Sequence, residues 1–154
     1  MTGKAEVARR QQQLDATFMR AAGLAAQSEL LSDFAKYLCV LVSGFLEQAV
    51  IELILEYVRN KSDGRIQSHV ERRLRKLTNL KSQLLLDVVG GFDPDWRRSL
   101  EPILVDEYKA ALDSVVDLRN TIAHGKSVGV TMKSVTDYYV RVKLVVGEVA
   151  RICK

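Results

Sequence analysis

The sequence predicts an all-α fold, a bundle of about five to six helices with no sheet, and three features carry that expectation. Only two prolines and nine glycines punctuate 154 residues, too few for a chain of many short strands and turns. Apolar side chains recur at spacings of three and four, and no stretch alternates apolar and polar residues long enough to form a strand. Apolar residues make up 47% of the chain and charged residues 27%, the balance of one globular domain able to bury a core.

Residues 4–27 read as an amphipathic helix, with Leu14, Phe18, Ala21, Ala22 and Ala25 near helical spacing. Residues 1–28 are thus expected to form a helix or arm, and 29–154 the helical domain proper. Ser28 or Ser32 stands ready to cap the next helix. Residues 29–60 carry two apolar stripes, one of Phe34, Leu38, Leu41 and Phe45, the other of Val42, Leu46, Ala49, Val50, Leu53 and Tyr57. Two stripes on one helix mean burial from two sides, so this is the central element. Asn60 to Gly64 ends it, and a basic helix follows over 65–77, with Ile66, Val70, Leu74 and Leu77 inward. A short helix through "LKSQLLLDVV" is expected to break at Gly90 and Gly91, and Asp93 with Pro94 starts another turn. Residues 106–124 repeat Tyr108, Leu112, Val115, Leu118 and Ile122, with Gly125 as the stop. Thr131 caps a last helix that runs to Cys153.

The central segment is also the one membrane suspect, but it contains Glu47 and Glu52, and an acidic residue at mid-bilayer costs about 3 kcal/mol. A buried bundle helix explains it better. The first fifteen residues are polar, unlike a secretion signal. Cys39 and Cys153 lie far apart without a CxxC pairing, which favours a reducing cytoplasm.

Charge is distributed unevenly. Arg59 to Lys81 holds eight basic residues against two acidic ones, a local +6 on a chain whose net charge is +4. Arg65, Arg72, Arg73, Arg75 and Lys76 are therefore candidates for binding a polyanion, RNA in particular, with the solvated helix face as the alternative. His69 lies among them and reads as a surface residue. Trp96, Tyr138 and Tyr139 have faces on which bases can stack, although their spacing suits the core.

One of only two histidines closes the stretch "LRNTIAHG". Asn120 and His124 are four apart and share a helix face. Arg119 and His124 are five apart, which on a regular helix turns them by about 140° and separates them by about 7.5 Å. One helix does not easily focus both on one atom, whereas two copies facing across a two-fold axis can. The pair suits RNA phosphodiester cleavage without metal: histidine moves the proton of the 2′-hydroxyl or of the leaving oxygen, and arginine stabilises charge on the phosphate. Asn120 can hold the phosphate or orient the ring. The same residues also fit an ordinary helix C-terminus. With no HExxH, no acidic cluster and no glycine-rich phosphate loop, neither a metal nor another cofactor is expected. Glu47 is the only charge between Lys36 and Glu52. Burial there calls for a partner, either a structural cation, whose loss typically costs about 3 to 5 kcal/mol when fully buried, or Arg119 or His124.

The motif at Arg119, Asn120 and His124 resembles the Arg-Asn-x-x-x-His motif of the HEPN superfamily. The stretch "FAKYLCVLVSGFLEQAVIELILEYVRNKS" resembles its RiboL-PSP-associated subgroup, with the likeness running from about Ser32 to the C-terminus. The resemblance implies an all-α domain that dimerises, so that paired motifs form one metal-independent ribonuclease site, as in RNA-cleaving toxins and defence proteins. It implies RNA as substrate, a second copy of the chain as partner, and an antitoxin or another defence-system protein as a further partner. A different class is a catalytically inactive HEPN domain that binds RNA or dimerises within a larger complex; a nucleotide-binding regulator is a third.

Overall fold

The computed structural model describes residues 2–23 and 28–154. Among these residues there are seven helices and no strand: α1 (Gly3–Ala22), α2 (Ser28–Lys61), α3 (Gly64–Leu74), α4 (Ser82–Phe92), α5 (Pro94–Leu100), α6 (Asp106–Ala123) and α7 (Met132–Ile152). The all-α expectation holds. The count exceeds five to six because the turn anticipated at Asp93 and Pro94 is a helix of its own, α5. Asp93 ends α4 in extended conformation, and its side chain then accepts a bond from the Asp95 N–H. Gly90 and Gly91 do not break α4, which runs on to Phe92. At Gly90 a Cβ would come within 3.1 Å of the Arg97 side chain, so this glycine admits the aliphatic stem of Arg97 instead of stopping the helix.

The central element is α2, which packs against α1, α3, α6 and α7. Ile51, Glu52, Leu53, Ile54 and Leu55 are buried in succession, a run that covers every side of a helix and marks it as enclosed. Each fully buried apolar side chain in this run contributes about 1.5 to 3 kcal/mol. Within α2 lies a segment apolar and long enough to cross a bilayer, and 72% of it is buried inside the bundle. Its acidic residue Glu52 is paired with Arg75 at 3.0 Å and Arg59 at 3.9 Å. Ser32 lies within α2 and not at its start; Ser28 is its first residue, with a side chain outside the described residues, as is Ala25.

Helix α1 is fastened along its length. Gly3 lies so close to α2 that a Cβ would collide with the Glu52 carbonyl and the Glu56 side chain, and the Lys4 N–H donates to Glu56 at 2.9 Å. Val7, Leu14 and Ala21 belong to the same buried cluster as α2 and α7. Further along, the Tyr139 hydroxyl of α7 donates to Asp15 at 2.6 Å, and the Tyr139 ring stacks on Phe18. Asp15 also draws Lys143 to 3.4 Å.

Side chains cap two further helix starts, at Asp63, which the sequence reading did not single out, and at the expected Thr131. The Asp63 carboxylate accepts from the N–H groups of Arg65 and Ile66, and Thr131 accepts from Ser134. The basic helix ends earlier than its pattern, at Leu74, and Ile66 faces solvent while Leu74 is buried. Cys39 and Cys153 are free and buried, and burial pushes their thiols up to about 11 and about 12.

Candidate active site

The end of α6 is built to stop where His124 stands. The helix is regular through Ala123, and His124 is the cap residue, its N–H bonded to the Asn120 carbonyl at 3.0 Å. Gly125 adopts φ +70, its N–H returns to Ile122, and the Lys126 N–H returns to Thr121. These paired bonds form a Schellman ending, which needs a residue free of a Cβ at the left-handed position. The imidazole is thereby carried on the last turn, and the residue is exposed. Because the helix does not unwind before the cap, the angular divergence of Arg119 and His124 expected from their spacing remains.

Arg119 and Asn120 are half-buried one turn earlier. The Arg119 guanidinium donates to the Asn120 Oδ1 at 3.2 Å, and Asn120 Nδ2 donates to Asn79 Oδ1 at 2.7 Å. A guanidinium can only donate, so the Asn120 carboxamide must turn its oxygen to Arg119 and its nitrogen to Asn79. Among the described residues Arg119 forms no ion pair with a carboxylate at contact distance. Among the described residues its other donors form no hydrogen bond, although its charge acts on Glu47.

Glu47 is half-buried on α2, where both the Arg119 charge and the Asn79 backbone N–H act on it. Burial pushes its carboxyl above the ordinary value of 4.5, and these two groups pull it back only in part. The buried, paired carboxylate that the sequence suggested at Glu47 is found instead at Glu52, further along α2, and its partner Arg75 stays exposed. A raised carboxyl favours folding below its unfolded value, and that contribution is lost as pH rises through the raised one. Glu47→Gln should therefore match wild type in melting temperature near pH 4 and equal or slightly exceed it near about pH 7. A large loss at neutral pH would show that attraction to Arg119 outweighs desolvation.

The basic block occupies α3 and the connector behind it. Arg65, Arg72, Arg73 and Lys76 are exposed, with His69 beside them. Arg75 is exposed too, but its guanidinium is tied to Glu52 at 3.0 Å and Glu71 at 3.2 Å. The connector from Arg75 to Lys81 leads directly to Asn79, so the basic helix and the motif are joined by one short segment. Trp96 and Tyr139 are buried and Tyr138 is half-buried. The first two are core side chains and present no face for a base. Among the described residues no group of three or more His, Cys, Asp or Glu is placed to hold a metal ion.

Asn79 is the site residue that sequence reading missed. Its signal is slight: an asparagine in "KLTNLK", between two helices, is a residue type able to take φ > 0.

No curated protein and no solved structure matches the chain. A family model described as RiboL-PSP-HEPN matches residues 6–154, including nearly all of α1, which the likeness read from about Ser32 had left out. With an all-α bundle around α2 and a match over almost its whole length, the chain belongs to the RiboL-PSP-HEPN family.

Proposed function

We propose that this protein is a metal-independent endoribonuclease that works as a two-fold dimer. Membership of the family is compatible with a nuclease or an RNA-binding role. The observation that favours cleavage is the end of α6, where an exposed His124 closes the helix and Arg119 is held by an amide instead of a carboxylate. A scaffold has no use for a guanidinium kept available in this way.

In the reaction, one His124 accepts the proton of the ribose 2′-hydroxyl as that oxygen attacks phosphorus. The bond from phosphorus to the 5′-oxygen breaks, and the His124 of the second copy supplies the proton to the leaving oxygen. Arg119 stabilises the charge that builds on the non-bridging oxygens. Asn120 steers the guanidinium, and the exposed cations of α3 bind the RNA backbone. The products are a 2′,3′-cyclic phosphate and a 5′-hydroxyl. The divergence of Arg119 and His124 along one helix is what calls for the second copy. The setting that suits such an enzyme is the cytoplasm, as the toxin of a toxin–antitoxin or antiphage defence module.

Purified protein should cleave single-stranded RNA in the presence of EDTA and leave a substrate with 2′-deoxyribose at the scissile position intact. Light scattering under the same conditions should give the mass of a dimer. Cleavage by a monomer would remove the composite site, and cleavage of the deoxy substrate would remove the 2′-hydroxyl mechanism.

A further inference from the structure

We infer that Asn79 is a positioning residue of the Arg119–His124 site: its side chain fixes the Asn120 carboxamide and, through it, the Arg119 guanidinium. The inference rests on the ribonuclease reading and adds to it a residue from outside the motif helix.

The backbone of Asn79 is left-handed, at φ 56. An ordinary side chain pays roughly 1 to 2 kcal/mol for that conformation, which asparagine tolerates better and glycine tolerates best. The turn alone would thus favour glycine. What glycine lacks is the oxygen that accepts from Asn120 Nδ2 at 2.7 Å. Nor is that bond needed to anchor the connector. Leu80 is fully buried, Lys81 meets Asp117 at 2.6 Å, and the Ser82 N–H donates to Asp113 at 2.9 Å. Asp113, Asp117 and Asn120 follow one another at spacings of four and three, so these attachments run along one face of α6. Two of them hold the segment in place. The third ends on the amide that holds Arg119.

The arrangement also has a direction. Asn79 can only accept from Asn120 if the carboxamide nitrogen faces it, and that turns the oxygen to Arg119. Remove the acceptor and the carboxamide is held from one side only, by the guanidinium it would otherwise orient, so Arg119 keeps its charge but loses its fixed direction. Asn79 touches no reacting atom in this scheme and acts through Asn120.

Three full-length proteins separate this role from a structural one: wild type, Asn79→Gly, which keeps the turn, and Asn79→Asp, which keeps both the turn and an acceptor oxygen. On a labelled single-stranded RNA, Asn79→Gly should lower kcat by about 10- to 100-fold with little change in KM, as expected for a misaligned transition-state interaction. Its melting temperature should not fall. Asn79→Asp should recover most of the lost rate. In NMR spectra the Asn120 side-chain amide protons should resonate at matching positions in wild type and Asn79→Asp and move upfield in Asn79→Gly, where the bond to residue 79 is lost. Unchanged kcat or unchanged amide shifts in Asn79→Gly, or failure of Asn79→Asp to restore the rate, overturns the assignment while leaving the ribonuclease reading standing. A wild-type protein that cleaves no RNA removes that reading and this one together.

Discussion

His124→Ala is expected to reduce RNA cleavage by about 100- to 10,000-fold, the usual contribution of a positioned acid–base group, while the protein stays folded. The imidazole projects from the cap of α6, and the bonds that close this helix end are made by backbone atoms of His124, Gly125 and Lys126. Alanine preserves them, and Gly125 still supplies the left-handed residue. Arg119→Ala should cost about 100- to 1,000-fold, as for removal of one donor to a developing oxyanion. Here too the structural penalty is small, since the guanidinium bonds to the Asn120 side chain and not to a buried carboxylate. Both variants should elute as wild type on gel filtration and retain RNA affinity. The measurement is single-turnover cleavage with identification of the cyclic phosphate end. If His124→Ala cleaves at the wild-type rate, the activity lies elsewhere, and "RNTIAHG" serves only as a helix ending in a domain that binds or dimerises.

Reversing Arg65, Arg72, Arg73 and Lys76 to glutamate should weaken RNA binding severely and flatten its dependence on salt. For a single strand, each phosphate that the protein ceases to neutralise takes about 0.7 off the slope of log affinity against log salt, so four such phosphates take off nearly 3. All four residues are exposed on or just after α3. Arg75 is left out because a carboxylate there would face the buried Glu52 that Arg75 now neutralises at 3.0 Å, and an uncompensated buried charge is strongly destabilising. Fluorescence anisotropy at several salt concentrations reads both affinity and slope. Equal slopes for wild type and variant would reduce the block to a solvated face, with RNA held by other residues.

These two experiments address residues that the sequence exposes directly, through a motif and a run of charge. Much of the fold is legible in the same way. Periodicity placed α2, α6 and α7 within one or two residues, and Thr131, Gly125, and Asp93 with Pro94 act where their chemistry suggests, because capping is settled by neighbours within a single turn. Gly90 of α4 misled, since the same absence of a side chain that weakens a helix also admits a close neighbour, and only the position of Arg97 decides which applies.

The sequence by itself determined the helical class, the central place of α2, and the order of Arg119, Asn120 and His124, since each depends on spacing along one helix or on residue type. Only the tertiary structure decided which carboxylate is enclosed, which arginine of the basic block is already engaged, and what faces Asn120. Glu47 and Glu52 look alike in the chain, yet packing half-exposes one and seals the other against Arg75. Asn79 lies forty-one positions from Asn120, and no local pattern links them. Their meeting follows from the burial of Leu80 and the run of attachments along α6, interactions between distant segments that exist only once the helices have packed.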